Sequence, residues 1–316
     1  MNDNDTDTDN QQLPQHQKEP ANASKIPSST LYHLGKIAVP CLVHILLHQS
    51  SSRLFGRFLA KRFPRLKPKD LLYLHEKFPS TVNSICTFLG AIHVLKSFRG
   101  NAFSPYTKQI DLLFGAMVGF MTYDLGVMAI RGKEHISVWI HHVLGIAGAT
   151  GMMYFRVGSY FPACFIVPEI TVTASNLLWI LDKLNLVGTR FLGLDIYQAA
   201  LWVRVVLFAI FRAPSLPACL LGAIKSEAQS ISPIPTPSPK SHPTTPPAPP
   251  PAPRKHLNQA IANFIEKYKA LPPFVSIFTA INLTVFGVLN SYWSVLVLRA
   301  LLRYRSKSLI TKTHHF

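Results

Sequence analysis

The sequence predicts an all-α protein that crosses a membrane as a multi-pass helical bundle of about seven spans. The mean hydropathy of +0.20 over 316 residues is high for a soluble domain. Mostly apolar stretches of roughly 17 to 25 residues recur along the chain, and that length crosses ~30 Å of hydrocarbon as a helix. Basic residues cluster beside these stretches rather than within them. The three observations together favour a membrane bundle over a soluble fold.

Seven stretches have the required length and apolar character. They lie at 34–49, 79–98, 109–130, 137–155, 161–181, 191–212 and 274–298. The first is the weakest, because it is short and contains Pro40, His44 and His48. A bundle of six spans is therefore the alternative.

Three polar segments flank or interrupt the transmembrane domain, which we place at 34–304. Residues 1–33 predict a disordered N-terminal tail, and residues 305–316 form a basic C-terminal tail. Residues 225–256 are rich in Pro, Ser and Thr. Such a composition cannot bury a core, so we predict an extended loop inserted between spans six and seven.

The placement of basic residues orients the predicted bundle. Seven lysines and arginines lie within residues 53–69, after span one, and five lie within residues 299–312, after span seven. An odd number of spans puts both segments on one side, and the positive-inside bias makes that side the cytosol. We therefore expect a lumenal N-terminus and a cytosolic C-terminus.

The formal net charge of +17 does not indicate nucleic-acid binding. The basic residues flank apolar spans and do not form a soluble face with interleaved aromatic side chains. Membrane lipids with anionic headgroups are the simpler partner. The four cysteines lie in or beside spans without CxxC spacing, so they predict neither a disulfide framework nor a metal site. No cofactor is expected.

Ionisable side chains within spans are the best pointers to function, because burying them in hydrocarbon is costly. At ~1.5 Å per residue, Asp124 lies about 9 Å inside the cytosolic end of span three, and His141 and His142 lie about 6 to 8 Å inside that end of span four. An imidazole can move a proton while a carboxylate fixes its tautomer. These three residues are the catalytic candidates, with interhelical hydrogen bonding as the alternative. Three asparagines lie at comparable depths: Asn83, Asn176 and Asn290.

A deeper polar layer lies near the bilayer centre. Glu169 and Arg204 lie about 18 and 20 Å from the cytosolic ends of their spans, and a mutual ion pair is the economical hypothesis for two buried charges. Spacings of four and three put Glu169, Thr173 and Asn176 on one helical face. These polar residues are interpreted as structural or lipid-binding groups.

Motifs on successive spans resemble those of a known family. They are GFMTYD at 119–124, IHH at 140–142, EIT at 169–171 with NLLW at 176–179, Arg204, and LNSYW at 289–293. In this order they resemble the signatures of the TLC-domain family, which includes the ceramide synthases and the TRAM proteins. The resemblance covers residues 79–304 apart from the Pro-rich loop.

The resemblance implies a helical bundle, usually in the endoplasmic reticulum, that handles lipids. In ceramide synthases the adjacent histidines are associated with N-acyl transfer from acyl-CoA to a sphingoid amine. By resemblance, His141 or His142 is the base that removes the amine proton, Asp124 is its partner, and acyl-CoA is the co-substrate. The family's Ser-x-x-His pattern reads Ser84-Ile85-Cys86-Thr87 here, and additional His and Asp residues around the pair are missing. The chain therefore looks closer to the small TLC-domain-containing proteins, which are linked to phospholipid composition and lipid trafficking.

Two functions remain open at the level of sequence, and with them the question of whether the protein is an enzyme. One is a membrane protein of lipid homeostasis whose intramembrane polar cavity binds or processes a lipid or acyl group. The other is a ceramide-synthase-like, acyl-CoA-dependent N-acyltransferase of sphingolipid metabolism. A seven-helix receptor or a transporter fits the number of spans, but no loop disulfide and no internal repeat supports it.

Overall fold

The computed structural model describes residues 28–98, 102–103, 106–132, 134–231 and 253–313. Residues 1–27 of the predicted N-terminal tail lie outside the described residues, as do residues 232–252 of the predicted Pro-rich loop. The statements below concern the described part of the chain.

Ten α-helices make up almost all of the described chain, which confirms the all-α bundle. The helices are α1 (Ser28–Arg62), α2 (Pro68–Ser97), α3 (Lys108–Arg131), α4 (Ile136–Phe155), α5 (Tyr160–Ile166), α6 (Ile170–Lys183), α7 (Ile196–Leu207), α8 (Ser215–Ile231), α9 (Pro253–Lys269) and α10 (Pro273–Thr313). A 3₁₀ turn, Val167–Glu169, joins α5 to α6, and a π-helical turn, Phe208–Arg212, follows α7. A short antiparallel hairpin, β1 (Arg190–Phe191) with β2 (Leu194–Asp195), precedes α7.

Six helical segments of the described chain are long and apolar enough to cross a membrane. They are Pro68–Ser97, Lys108–Arg131, Ile136–Phe155, Tyr160–Lys183, Ile196–Ser230 and Pro273–Tyr304. The count equals the six-span alternative. The first predicted span lies in α1, whose apolar stretch gives way after Leu47 to a run of polar residues.

Helix α1 nevertheless lies alongside α3 and runs parallel to it. Lys36 forms an ion pair with Asp111 at one end, and His48 Nδ1 lies 2.6 Å from the Tyr123 hydroxyl at the other. Between them the two backbones approach so closely that a Cβ on Gly119 would lie 2.6 Å from the Ile37 carbonyl oxygen. Residues 36–48 of α1 therefore lie at the same depth in the bundle as residues 111–123 of a candidate span.

Two spans differ in their ends from the sequence prediction, and both differences affect the polar interior. Helix α2 begins at Pro68 rather than at residue 79 and continues through Pro79. Helix α7 begins at Ile196 rather than at residue 191, because the hairpin occupies the residues before it and Asp195 Oδ1 caps the helix by accepting from the Gln198 amide at 2.9 Å. The candidate span then continues to Ser230. Arg212 thus lies within the span instead of at its end.

The predicted polar segments are partly helical. Helix α1 begins at Ser28, within the predicted N-terminal tail. Helices α8 and α9 include both ends of the predicted 225–256 loop, and they are joined by an ion pair between Glu227 Oε2 and Lys267 Nζ at 2.6 Å. Helix α10 continues to Thr313, through most of the predicted C-terminal tail.

Candidate functional site

Polar side chains from several helices surround a cavity of about 230 Å³ near the predicted cytosolic end of the bundle. We call this cavity the chamber. Its walls come from α2, α3, α4, α6, α7, α10 and the π-helical turn. The ionisable residues that line it are Glu76, Lys77, Asp124, His141, His142, Glu169, Arg204 and Arg212. The sequence-predicted catalytic candidates all belong to this set.

His142 is held at both of its ring nitrogens. Its Nδ1 lies 3.0 Å from the Val138 carbonyl oxygen one helical turn earlier, and since a carbonyl only accepts, Nδ1 carries a proton and donates. Its Nε2 lies 2.8 Å from Asp124 Oδ2. This is an ion-pair distance, although Nε2 makes no well-directed hydrogen bond among the described residues. Asp124 and His142 therefore form a close pair between α3 and α4.

His141 has a different environment. Its Nε2 lies 3.6 Å from Glu169 Oε1, and its Nδ1 is buried without a hydrogen-bond partner among the described residues. The ring packs edge-on against Phe286 and Trp293, with centroids 5.0 and 5.6 Å away. The predicted trio thus divides into two sites, because Asp124 contacts His142 while His141 faces Glu169.

The predicted ion pair between Glu169 and Arg204 is wrong. Glu169 Oε1 lies 3.7 Å from Arg212 Nη2 instead. Arg212 is further fixed by donating from Nε to Thr171 Oγ1 at 2.7 Å and from Nη1 to Asn290 Oδ1 at 3.3 Å. The physical reason is the later start and greater length of the span, which place Arg212 at the depth that the sequence assigned to Arg204.

Arg204 lines the chamber without a carboxylate partner among the described residues. Its Nε is buried and makes no hydrogen bond in the described part of the structure. The Arg204 guanidinium lies against the Phe208 ring, with its Cζ 5.5 Å from the ring centroid. Arg204 is therefore a partly buried cation without a compensating charge in the described chain.

Two of the predicted asparagines connect helices around the chamber. Asn176 lines it and donates from Nδ2 to Ser80 Oγ at 3.0 Å and to Thr81 Oγ1 at 3.1 Å. Asn290 lies behind Arg212 and donates from Nδ2 to Ser215 Oγ at 2.9 Å. Both residues make interhelical hydrogen bonds, as the structural interpretation of these asparagines predicts.

Thr173 and Asn83 lie outside the lining of the chamber. The Thr173 hydroxyl lies 3.0 Å from that of Ser84, which donates to the main-chain oxygen of Glu169 at 2.6 Å. Thr173 therefore helps to fix the turn that carries Glu169. Asn83 lines a separate groove between α1, α2 and α3.

Sequence reasoning missed Glu76 and Lys77 of α2. Both are buried, and Glu76 Oε2 lies 2.9 Å from Lys77 Nζ, which also lies 3.5 Å above the Tyr73 ring. They were placed in a loop because the predicted span began after them. A signal was present, since a proline at the first helical position with an acidic residue in the first turn, here Pro68 and Asp70, is typical of a helix start.

An apolar cavity of about 50 Å³, which we call the apolar extension, adjoins the chamber. Four residues line both spaces: Met117, Met121, His141 and Glu169. Beyond them the walls are mainly apolar and come from α4, α5 and α10, with Ala149, Phe161 and Phe286 among them. We call the boundary between the two spaces the junction. His141 and Glu169 lie at this junction, where a polar cavity meets an apolar one.

The family model for the TLC domain, named for the TRAM, LAG1 and CLN8 proteins, matches residues 74–299. No curated protein and no solved structure matches the chain. The matched region runs from α2 to α10 and contains every acidic, basic and histidine residue that lines the chamber.

Proposed function

We propose that this integral membrane protein, which belongs to the TLC-domain family, binds or processes an amphipathic lipid or acyl group inside the bundle. The polar end of the ligand occupies the chamber, and its chain enters the apolar extension, whose volume of about 50 Å³ holds a short segment of that chain. The observation that carries the proposal is the lining shared between the two spaces at Met117, Met121, His141 and Glu169. Binding sites of this kind are concave and mostly apolar, with a few placed polar groups.

On this proposal the protein takes part in lipid homeostasis in the endoplasmic reticulum membrane. The basic residues within 53–69 flank the end of the bundle that holds the chamber, which supports a chamber close to the cytosol. The missing Ser-x-x-His histidine favours the small TLC-domain-containing proteins over the ceramide synthases as the nearest functional counterparts.

A retention experiment tests this binding function. Wild-type protein and Ala149→Phe are purified in detergent, and co-purified lipids are measured by mass spectrometry after a delipidating wash. Ala149 is buried against the extension, so the phenylalanine fills the space intended for the chain. We expect the wild type to retain lipid and the variant to lose it.

Val143→Phe is the matched control, because Val143 lies on the same helix and is 53% exposed on the outer face. It should retain lipid like the wild type. If Ala149→Phe disturbs folding, Ala149→Leu replaces it in the same measurement, because leucine fills less of the extension. Equal retention by all variants would contradict the proposal.

A second candidate function is acyl-CoA-dependent N-acyl transfer, and the environment of His141 favours it. His142 Nδ1 is bound to the Val138 carbonyl and its Nε2 lies 2.8 Å from Asp124 Oδ2, whereas His141 Nδ1 is buried without a hydrogen-bond partner in the described chain. In this reaction an amine nitrogen attacks the thioester carbonyl, the C–N bond forms and the C–S bond breaks. His141 takes the amine proton and passes it to the departing thiolate. The acyl carbonyl would lie at the junction, next to His141.

An acyl-CoA assay with sphingoid and lysophospholipid acceptors separates the two candidates. Turnover by the wild type that is lost in His141→Ala and retained in Val143→Ala would establish the transferase. Lipid retention without turnover across the panel would favour the binding function.

A further inference from the structure

The ion pairs in the chamber leave one cation of its lining without a partner among the described residues. Each of the three carboxylates has its own cationic or imidazole partner. The pairs are Glu76 with Lys77 at 2.9 Å, Asp124 with His142 at 2.8 Å, and Glu169 with Arg212 at 3.7 Å. Arg204 is the remaining cation of the lining, and no described carboxylate lies within ion-pair distance of it. An anion from outside the described chain is the missing partner.

The surroundings of Arg204 strengthen this conclusion. The Nε of Arg204 is buried without a hydrogen-bond acceptor in the described part of the chain. A guanidinium presents its donors in a planar fork that matches a phosphate or a carboxylate. A bound anion would satisfy these donors.

The distance from the junction selects the type of anion. Arg212 contacts Glu169 at the junction, and Arg204 precedes Arg212 by two turns, so the two lie about 12 Å apart along the helix axis. A free fatty acid carries its carboxylate directly on the chain. With its chain in the extension it reaches the junction but not Arg204. A phosphate joined to the acyl group through a polar linker spans the gap.

Resting on the lipid-binding function proposed above, we propose that Arg204 binds the phosphate of an amphiphile whose acyl chain lies in the apolar extension. A phospholipid headgroup and the phosphates of an acyl-CoA share this chemistry. Leu296 lines both the chamber and a groove on the outer face of α10.

Affinity measurements on the purified full-length protein in a neutral detergent test the assignment. The probes are palmitoyl lysophosphatidic acid, palmitoyl-CoA, palmitic acid and monopalmitoylglycerol. We expect Arg204→Gln to weaken binding of the phosphate-bearing probe by about tenfold or more, because a charge-assisted bidentate contact is lost. Binding of monopalmitoylglycerol should stay within about twofold of wild type. Arg204→Lys should recover part of the loss.

Arg190→Gln is the control, because Arg190 is an exposed arginine in the hairpin before the same span. It should change no affinity. Preference for lysophosphatidic acid over palmitoyl-CoA identifies a lipid headgroup as the source, and the reverse preference identifies acyl-CoA. The Arg204 assignment alone would be overturned if Arg204→Gln weakened binding of the phosphate-bearing and neutral probes equally. It would also be overturned if Arg204→Gln weakened binding of neither kind of probe. A wild type that binds none of the four probes would overturn the lipid-binding function itself.

Discussion

Asp124 and His142 form a fixed pair across α3 and α4, with Oδ2 and Nε2 2.8 Å apart and the other ring nitrogen bound to the Val138 carbonyl. Neither side chain can turn away without leaving a buried polar group unpaired. This contact identifies the pair as a positioning element of the chamber wall, and it leaves the neighbouring His141, whose Nδ1 is buried without a hydrogen-bond partner in the described chain, as the less constrained of the two adjacent histidines.

Removing both members of this pair should therefore cost less than the sum of the two single losses. Asp124→Ala leaves a buried imidazole without its partner, and we expect a loss of about 1–3 kcal/mol of stability. The double variant Asp124→Ala with His142→Phe should be less damaged than the sum of the single variants. Thermal unfolding in detergent measures both effects. Asp182→Ala, at an exposed position of α6, is the control. Additive losses would show that the two residues do not interact.

The partner of Glu169 gives a second test. Breaking a buried ion pair from one side costs about 3–5 kcal/mol, whereas replacing both members with apolar residues is often neutral. Glu169→Leu should thus destabilise the bundle strongly, and Arg212→Leu added to it should restore much of the stability. Arg204→Leu added to Glu169→Leu should restore none, because Arg204 makes no ion pair with Glu169. Rescue by the Arg204 substitution instead would reinstate the sequence-based pairing.

The bundle and the depth of the histidines could be predicted because both depend on local sequence. Apolar length fixes a span, and the positions of His141, His142 and Asp124 within spans place them near one another at the same depth. All three line the chamber. Depth does not determine which face of a helix a residue occupies, so it did not reveal that Asp124 contacts His142 and not His141.

The errors arose at span ends. Hydropathy does not show that α2 starts at Pro68, because its first turns carry charges that are compensated only in the folded bundle, as Glu76 is by Lys77. Nor does it show the hairpin before α7, which shifts every later residue of that span toward the cytosolic end. For this reason Arg212 takes the place beside Glu169 that the sequence assigned to Arg204.

The close contact between α1 and α3 makes a third prediction. A Cβ at Gly119 would lie 2.6 Å from a backbone oxygen of α1, which cannot move aside as a side chain can. We expect Gly119→Ala to destabilise the protein by about 1–3 kcal/mol through overpacking. Gly126→Ala is a matched control on the same helix, because nothing lies within 4 Å of the added Cβ. That substitution should be neutral or slightly stabilising, since alanine favours helix more than glycine does. Equal effects at the two positions in thermal unfolding would mean that α1 does not pack on α3 in the membrane.

The same contact bears on topology, because α1 lies beside α3 over residues 36–48. If α3 crosses the bilayer, a parallel helix at the same depth crosses it as well, and the Lys36 charge is compensated by Asp111 instead of preventing insertion. Seven crossings then put the two termini on opposite sides of the membrane. We expect an N-terminal tag to be protected from protease in sealed microsomes and a C-terminal tag to be digested. Permeabilised microsomes, in which both tags are digested, are the control. Digestion of both tags in sealed microsomes would mean six crossings, with α1 outside the bilayer.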